Sequence, residues 1–242
     1  MVDSVSRTSS AITLLIVWPY RTGDTEFIRS IWPQLLRLVA NTITQSIDPI
    51  TNIGSNGGSS PALHSTCFNI QSFEEMVEIG AALGYNESTV PLATQAQLSR
   101  KAVESYWNET AGVYNLPGAE WTLLTQAMVQ IIKLGPQDRR DRFWQAMPSR
   151  LEAGGYTDPP SGDKLDLLEA GNAPINANTV SHLLWAAGER RDGAFAQDLI
   201  ARAYGPQALP SVNYTGECGV LTLSEYVLTN PDRLQEPSGS SW

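Results

Sequence analysis

Cysteine, histidine and basic charge are what this sequence has least of. Cys67 and Cys218 are the only cysteines in 242 residues. Two cannot build a disulfide framework in a chain this long, and no Cys-x-x-Cys pair exists for zinc. They read as buried free thiols, or as a single bridge if the parent protein is secreted. His64 and His182 are the only histidines. His182 has no partner at metal-ligand spacing, and no His-x-x-x-His or Glu-x-x-His pair occurs, so no metal or other cofactor is expected. No Gly-x-Ser-x-Gly elbow supports a nucleophilic serine. Sixteen Lys and Arg face 25 Asp and Glu, a net charge of −9. With no basic stripe to displace counterions, nucleic acid is excluded as a partner. Arg139, Arg140 and Arg142 alternate with Asp138 and Asp141 and read as a solvated helix face. The longest apolar run, Ile12 to Val17, falls far short of the ~20 residues that span a bilayer. It also lacks the basic flank and cleavage site of a signal peptide. That pattern fits a chain that begins inside a fold or a cytosolic protein. The sequons at Asn86, Asn108 and Asn213 hint weakly at secretion, so the compartment stays open.

What is present is helical pattern. Hydrophobic residues make up 42%, with seven Trp and eight Tyr, enough for a sizeable core. A first helix is expected from Ser9 or Ser10 to Val17, stopped by Pro19. After a Thr22-Gly23 turn, Asp24 is a good N-cap, and Phe27, Ile31, Leu35 and Leu38 form an apolar stripe that Ile28 and Val39 widen. Pro33 predicts a kink near Ser30. Residues 48–61 are rich in Gly, Ser and Asn, cannot form a regular element, and are long enough to invite function. A helix over 62–83 should bury Phe73, Met76, Val77 and Gly80 and end at Gly84. The next runs from Ser88 or Thr89 to Trp107, with Tyr106 and Trp107 on its apolar side, and residues 108–119 form a turn region. Further helices are expected over 120–134 and 137–153, with Pro148 bending the latter. A loop and short helix cover 154–173. A helix pair follows at 176–188 and 193–204, then a short helix over 221–228.

Strand signals are almost absent. The expected fold class is all-α: stacked antiparallel helical hairpins, about four of them, in one domain over residues 1–229. Residues 230–242 are polar, rich in Ser and Gly, and expected to be disordered.

Three stretches then carry a resemblance. "YRTGDTEFIRSIWPQLLRL", "SNGGSSPALHSTCFNIQSFEEMVEIGAALGY" and "SHLLWAAGERRDGAFAQDLIARAYGPQ…NYTGE" together resemble the six-hairpin glycosidases, and within them the α-L-rhamnosidase-like group. The first is similar to that group's Thr-Gly-Asp turn and helix. The second is similar to its Gly-rich loop and helix at the barrel mouth. The third is similar to its last hairpins and the loop that brings a glutamate to the active centre. The resemblance implies a partial (α/α)6 toroid, a carbohydrate or glycoside ligand, and inverting hydrolysis of a terminal sugar. That chemistry needs two carboxyl groups held ~6.5–9.5 Å apart, with a water between them.

Glu217 is carried over as the general base; its neighbours Gly216 and Gly219 free the loop, and Tyr214 is placed to hold it. Asn56 and His64, on or beside the Gly-rich loop, are carried over as sugar-binding groups. The family's general acid lies upstream of the Thr-Gly-Asp helix, where this chain has no counterpart. Glu120, Asp163 and Asp166 are the internal candidates, and Glu120 reads better as a first-turn helix stabiliser. The expectation is therefore a C-terminal fragment, a shortened paralogue, or a protein that has lost hydrolysis. Two other readings stand beside the glycosidase: a non-hydrolytic binding or interaction module of the same fold, and an isomerase or cyclase on a helical toroid. His182 reads as a core or boundary residue. Trp18, Trp107, Trp121 and Trp185 read as core before sugar-stacking platforms.

Overall fold

The computed structural model describes residues 24–55, 61–119, 121–152, 174–208 and 226–228. The chain divides into two compact units, Met1–Ala119 and Glu120–Trp242. Seven helices and four short strands lie among the described residues, and the fold class is all-α, as the sequence pattern leads one to expect.

In the first unit, α1 spans Thr25–Ser46. The Asp24 carboxylate caps it by accepting the Phe27 N–H at 3.0 Å. The helix continues through Pro33, whose ring faces solvent. The hydrogen bond that a proline cannot make to the carbonyl four residues back is thereby lost where water replaces it. The expected apolar stripe is turned by one residue. Ile28, Trp32, Leu35 and Val39 are buried, while Phe27 and Leu38 are each 40% exposed. Trp32 sets this orientation. Its ring stacks on Tyr85 with centroids 5.3 Å apart, and so large an aromatic surface dominates the choice of buried face.

Helix α2 spans Leu63–Leu83 and ends at Gly84, in the left-handed conformation with φ 83°. The Tyr85 N–H returns to the Gly80 carbonyl at 2.7 Å. Every residue from Ser65 to Phe73 is buried, so the first half of α2 is enclosed on all sides, while Glu78, Ala81 and Ala82 leave its second half an exposed face. Val77, expected inside, is half-buried. Helix α3, Asn86–Glu104, packs along α2 and buries Thr89, Leu92, Ala96, Ser99 and Val103. A Cβ at Gly80 would meet Thr89 Cγ2 at 2.5 Å, so the two helices touch almost backbone to side chain there.

Helix α3 stops before Tyr106 and Trp107, contrary to the expected boundary. Trp107–Asn108 (β1) instead pairs antiparallel with Val113–Tyr114 (β2). The buried Tyr114 hydroxyl donates to Glu104 Oε2 at 2.9 Å. Asn108 Oδ1 accepts the Ala111 N–H at 3.0 Å, and Gly112 takes φ 65°. A short hairpin with an Asx-type turn thus outcompetes one more helical turn.

In the second unit, α4 spans Leu123–Ile131. It starts three residues later than expected, capped by Thr122, whose hydroxyl accepts the Thr125 N–H at 3.2 Å. It is buried on every side along its whole length. Helix α5, Gln137–Glu152, buries Phe143, Trp144 and Met147. Helices α6, Ala177–Arg190, and α7, Gly193–Ala208, form the expected pair. Asp192 clasps the turn between them: Oδ1 accepts the Phe195 N–H at 3.0 Å, and Oδ2 accepts the Trp144 indole N–H at 2.8 Å. Pro174–Asn176 (β3) pairs antiparallel with Tyr226–Leu228 (β4), Ile175 opposite Val227. Residues 226–228 are therefore strand, where a helix was expected. The expected elements at 9–17, 154–173 and 231–242 lie outside the described residues.

Candidate functional site

Chain connections differ in length at the helix ends. Helix α2 is reached through residues 47–62 and left through the two-residue turn 84–85. Helices α4 and α6 are left through short turns at 132–136 and 191–192.

The described start of this connection, residues 47–55, is held by its own side chains. Asp48 Oδ1 accepts the N–H groups of Ile50 and Thr51, each at 2.8 Å. Those backbone donors, Thr51's first, hold the Asp48 carboxyl below the usual carboxylate range. Asn52 turns the chain at φ 56°. Bridges pair Ile47 with Gly54 and Ser55 with Pro61. The Gly54 N–H donates to Thr66 Oγ1 at 2.8 Å, which ties the connection to the first turns of α2. At Gly54 a Cβ would lie 2.9 Å from Asn69 Nδ2, so glycine permits this approach.

His64 stands half-buried in the first turn of α2, directly beyond this junction. Along the next two turns, Ser65 Oγ and Asn69 Nδ2 are buried with no hydrogen-bond partner among the described residues. These are donors of the kind that a hydroxyl-bearing ligand or an ordered water satisfies. Of the residues expected to act on a sugar, His64 is the one the structure places. Asn56, Tyr214 and Glu217 lie outside the described residues, as do Glu120, Asp163, Asp166 and Trp18. His182 is half-buried on α6, its Nδ1 3.3 Å from Ser181 Oγ. Trp185 is 38% exposed. Trp107 and Trp121 are half-buried, Trp107 against Tyr114 and Trp121 edge-on to Phe143. Cys67 is a free thiol, fully buried, and burial pushes its pKa up to about 12. Among the described residues no three His, Cys, Asp or Glu are grouped to hold a metal. No described helix is long and apolar enough to cross a membrane.

A second polar site, not anticipated from the sequence, lies in the second unit. Gln130, Lys133, Gln137, Arg140, Glu189 and Arg190 line a cleft of about 290 Å³. Lys133 Nζ pairs with Glu189 Oε2 at 3.0 Å. Arg190 bonds Asp141, chiefly by a direct hydrogen bond that holds the Asp141 carboxyl below its usual range. The run 138–142 is thus not simply a solvated face: Asp141 reaches the far end of α6, and Arg140 turns into the cleft. The available signal was cations gathered at helix ends, Lys133 before Gly135-Pro136 and Glu189-Arg190-Arg191 before Gly193.

Comparison with solved structures identifies the fold. The chain superposes on a GH78-family rhamnosidase from a Bacillus species with a TM-score of 0.62 and 16% identity, over 89% of this chain and 24% of that one. It superposes on a rhamnosidase from Klebsiella oxytoca, solved with rhamnose bound, with a TM-score of 0.61 and 15% identity, over 80% of this chain and 36% of that one. The helical-hairpin fold is therefore α-L-rhamnosidase-like. The chain spans about a quarter and about a third of these two proteins' lengths. No family model and no curated protein sequence matches it.

Proposed function

We propose that this chain is a glycoside hydrolase-like segment of the α-L-rhamnosidase type, one helical-hairpin domain over residues 1–229 that forms part of an (α/α)6 barrel. Its ligand is a carbohydrate or glycoside. In this reading Glu217 is the general base of an inverting hydrolysis, drawing a proton from the attacking water. Asn56, His64 and Tyr214 hold the sugar. The observation that carries the proposal is the likeness to two rhamnosidase structures over 89% and 80% of the chain. The position of His64, in the first turn of α2 beside the junction where the Gly54 N–H bonds Thr66, supports it.

The test is hydrolysis of an aryl α-L-rhamnoside by the chain, with Glu217→Gln beside it. Activity should fall at least about 100-fold in the variant, the usual scale for losing a general base. Proton NMR of the first-formed sugar should show the inverted anomer. Hydrolysis untouched by Glu217→Gln would remove that residue from the mechanism.

A second reading is a non-hydrolytic binding module of the same fold, in which the buried, unpartnered Ser65 Oγ and Asn69 Nδ2 serve to hold a ligand. Rhamnose binding by calorimetry, without turnover, would select it. Neither turnover nor binding by a folded chain would overturn both.

A further inference from the structure

The cleft in the second unit is built where the short turns after α4 and α6 come together. Three of its six lining side chains, Lys133, Arg140 and Arg190, are cationic, and one, Glu189, is anionic. Counting Asp141, which Arg190 engages, the cluster holds three positive and two negative groups. With Asp192 also within electrostatic reach of Arg190, the spot is close to neutral in a protein of net charge −9.

Two of its polar atoms are left over. Gln130 is 3% exposed, and its Nε2 donates to the Arg140 carbonyl at 3.2 Å. Its Oε1 is buried with no partner among the described residues. Arg140 bonds Gln137 Oε1 through Nη2, while its Nε is buried and unpartnered. Leaving such groups unsatisfied is costly, so each is a point where a ligand atom gains. One is an acceptor that requires a hydroxyl or N–H donor. The other is a cationic donor, which an anionic oxygen satisfies most strongly. A ligand that settles both carries a negative group and a hydroxyl side by side. At about 30 Å³ per water, the cleft holds roughly ten waters, or a ligand of about a dozen non-hydrogen atoms.

We propose that this cleft binds a polyhydroxylated carboxylate of monosaccharide size. Its carboxylate lies against Arg140 Nε with Lys133 and Arg190 nearby, and one hydroxyl donates to Gln130 Oε1. The proposal is independent of the glycosidase reading, because it rests on different residues and needs neither Glu217 nor turnover.

The test is titration of the isotope-labelled full chain with D-gluconate, followed by NMR of the backbone amides and of the arginine Nε–H groups. Two controls split the ligand: D-glucitol keeps the hydroxyls without the charge, and hexanoate keeps the charge without the hydroxyls. Gluconate should shift the amides of Gln130, Lys133 and Arg190 and the Arg140 Nε–H signal, with a Kd of about 1–10 mM, weak because small polar ligands gain little per atom. Arg140→Lys, which keeps the charge and removes Nε, should weaken binding about tenfold. Lys133→Gln, at a side chain 66% exposed, should weaken it only about threefold. A thermal melt checks that each variant is folded. No shift at these residues in the wild-type chain overturns the proposal. So does an equal response to glucitol or to hexanoate.

Discussion

Near the C-terminal end of α2, Gly80 lies so close to α3 that a single added carbon would collide with Thr89. Near the same end of α6, Gly188 has nothing within 4 Å of where that carbon would go. The first end is sealed by apolar and aromatic contact: Trp32 stacks on Tyr85, and the Arg29 guanidinium sits 5.7 Å from the Tyr85 ring while donating to the Leu83 carbonyl at 2.9 Å. The second end is held by polar clasps and leaves a cleft. The same element, a helical hairpin, closes by packing in one unit and by hydrogen bonds and ion pairs in the other. Packed ends tolerate no added volume. Clasped ends tolerate volume but are sensitive to loss of single polar atoms and to pH.

The largest effect expected from that contrast is at Asp192. Replacing it with Ala removes the cap of α7 and strands the indole N–H of Trp144, a residue 7% exposed; together these should cost about 2–4 kcal/mol in denaturant unfolding. The Asp192 carboxyl is held below the usual range, first by the Trp144 indole and then by the Phe195 N–H. Its contribution is therefore complete above the unfolded-chain pKa and is lost as pH falls through the lower folded value. Asp192→Asn should flatten that part of the acid limb of the stability profile; an unchanged limb would detach the carboxylate from it.

Next is the pair of glycines. Gly80→Ala should destabilise by about 1–3 kcal/mol through overpacking. Gly188→Ala should be neutral or stabilise by up to ~1 kcal/mol, since Ala is the better helix former. Melts that move the same way in both variants would dissolve the distinction between packed and clasped ends. The smallest effect is at Lys133 and Glu189, whose side chains are 66% and 34% exposed. A double-mutant cycle across this pair should give about 0.5 kcal/mol or less, falling further with salt.

Much of the helical frame was legible because its signals are local. Asp24 before an apolar run and Gly84 after one mark helix ends through chemistry confined to one turn, and both act as caps in the structure. The buried face of α1 was misread because Trp32 finds its partner, Tyr85, 53 positions along the chain. No count of spacing within α1 weighs that contact against Phe27 and Leu38. The hairpin at 107–114 was hidden for a similar reason: Tyr114 gains burial and the Glu104 carboxylate only once the chain has turned back. In the candidate sugar site, the resemblance led to His64, and the structure sets it beside the junction of Gly54 with Thr66. Of the polar cleft the sequence shows only cations gathered at helix ends. Its members come from α4, the turn after it, α5 and α6, and only the fold makes neighbours of them.

The enclosed first half of α2 carries one more consequence. Cys67 sits on α2 with no exposed surface, and its thiol ionises only near pH 12. An alkylating reagent needs the thiolate and a path to it, and the folded protein offers neither at neutral pH. With Cys218 replaced by serine, the labelling rate of Cys67 becomes a stopwatch for the first unit. It advances only while α2 is out of its surroundings, so it counts openings too brief and too rare for spectroscopy to register.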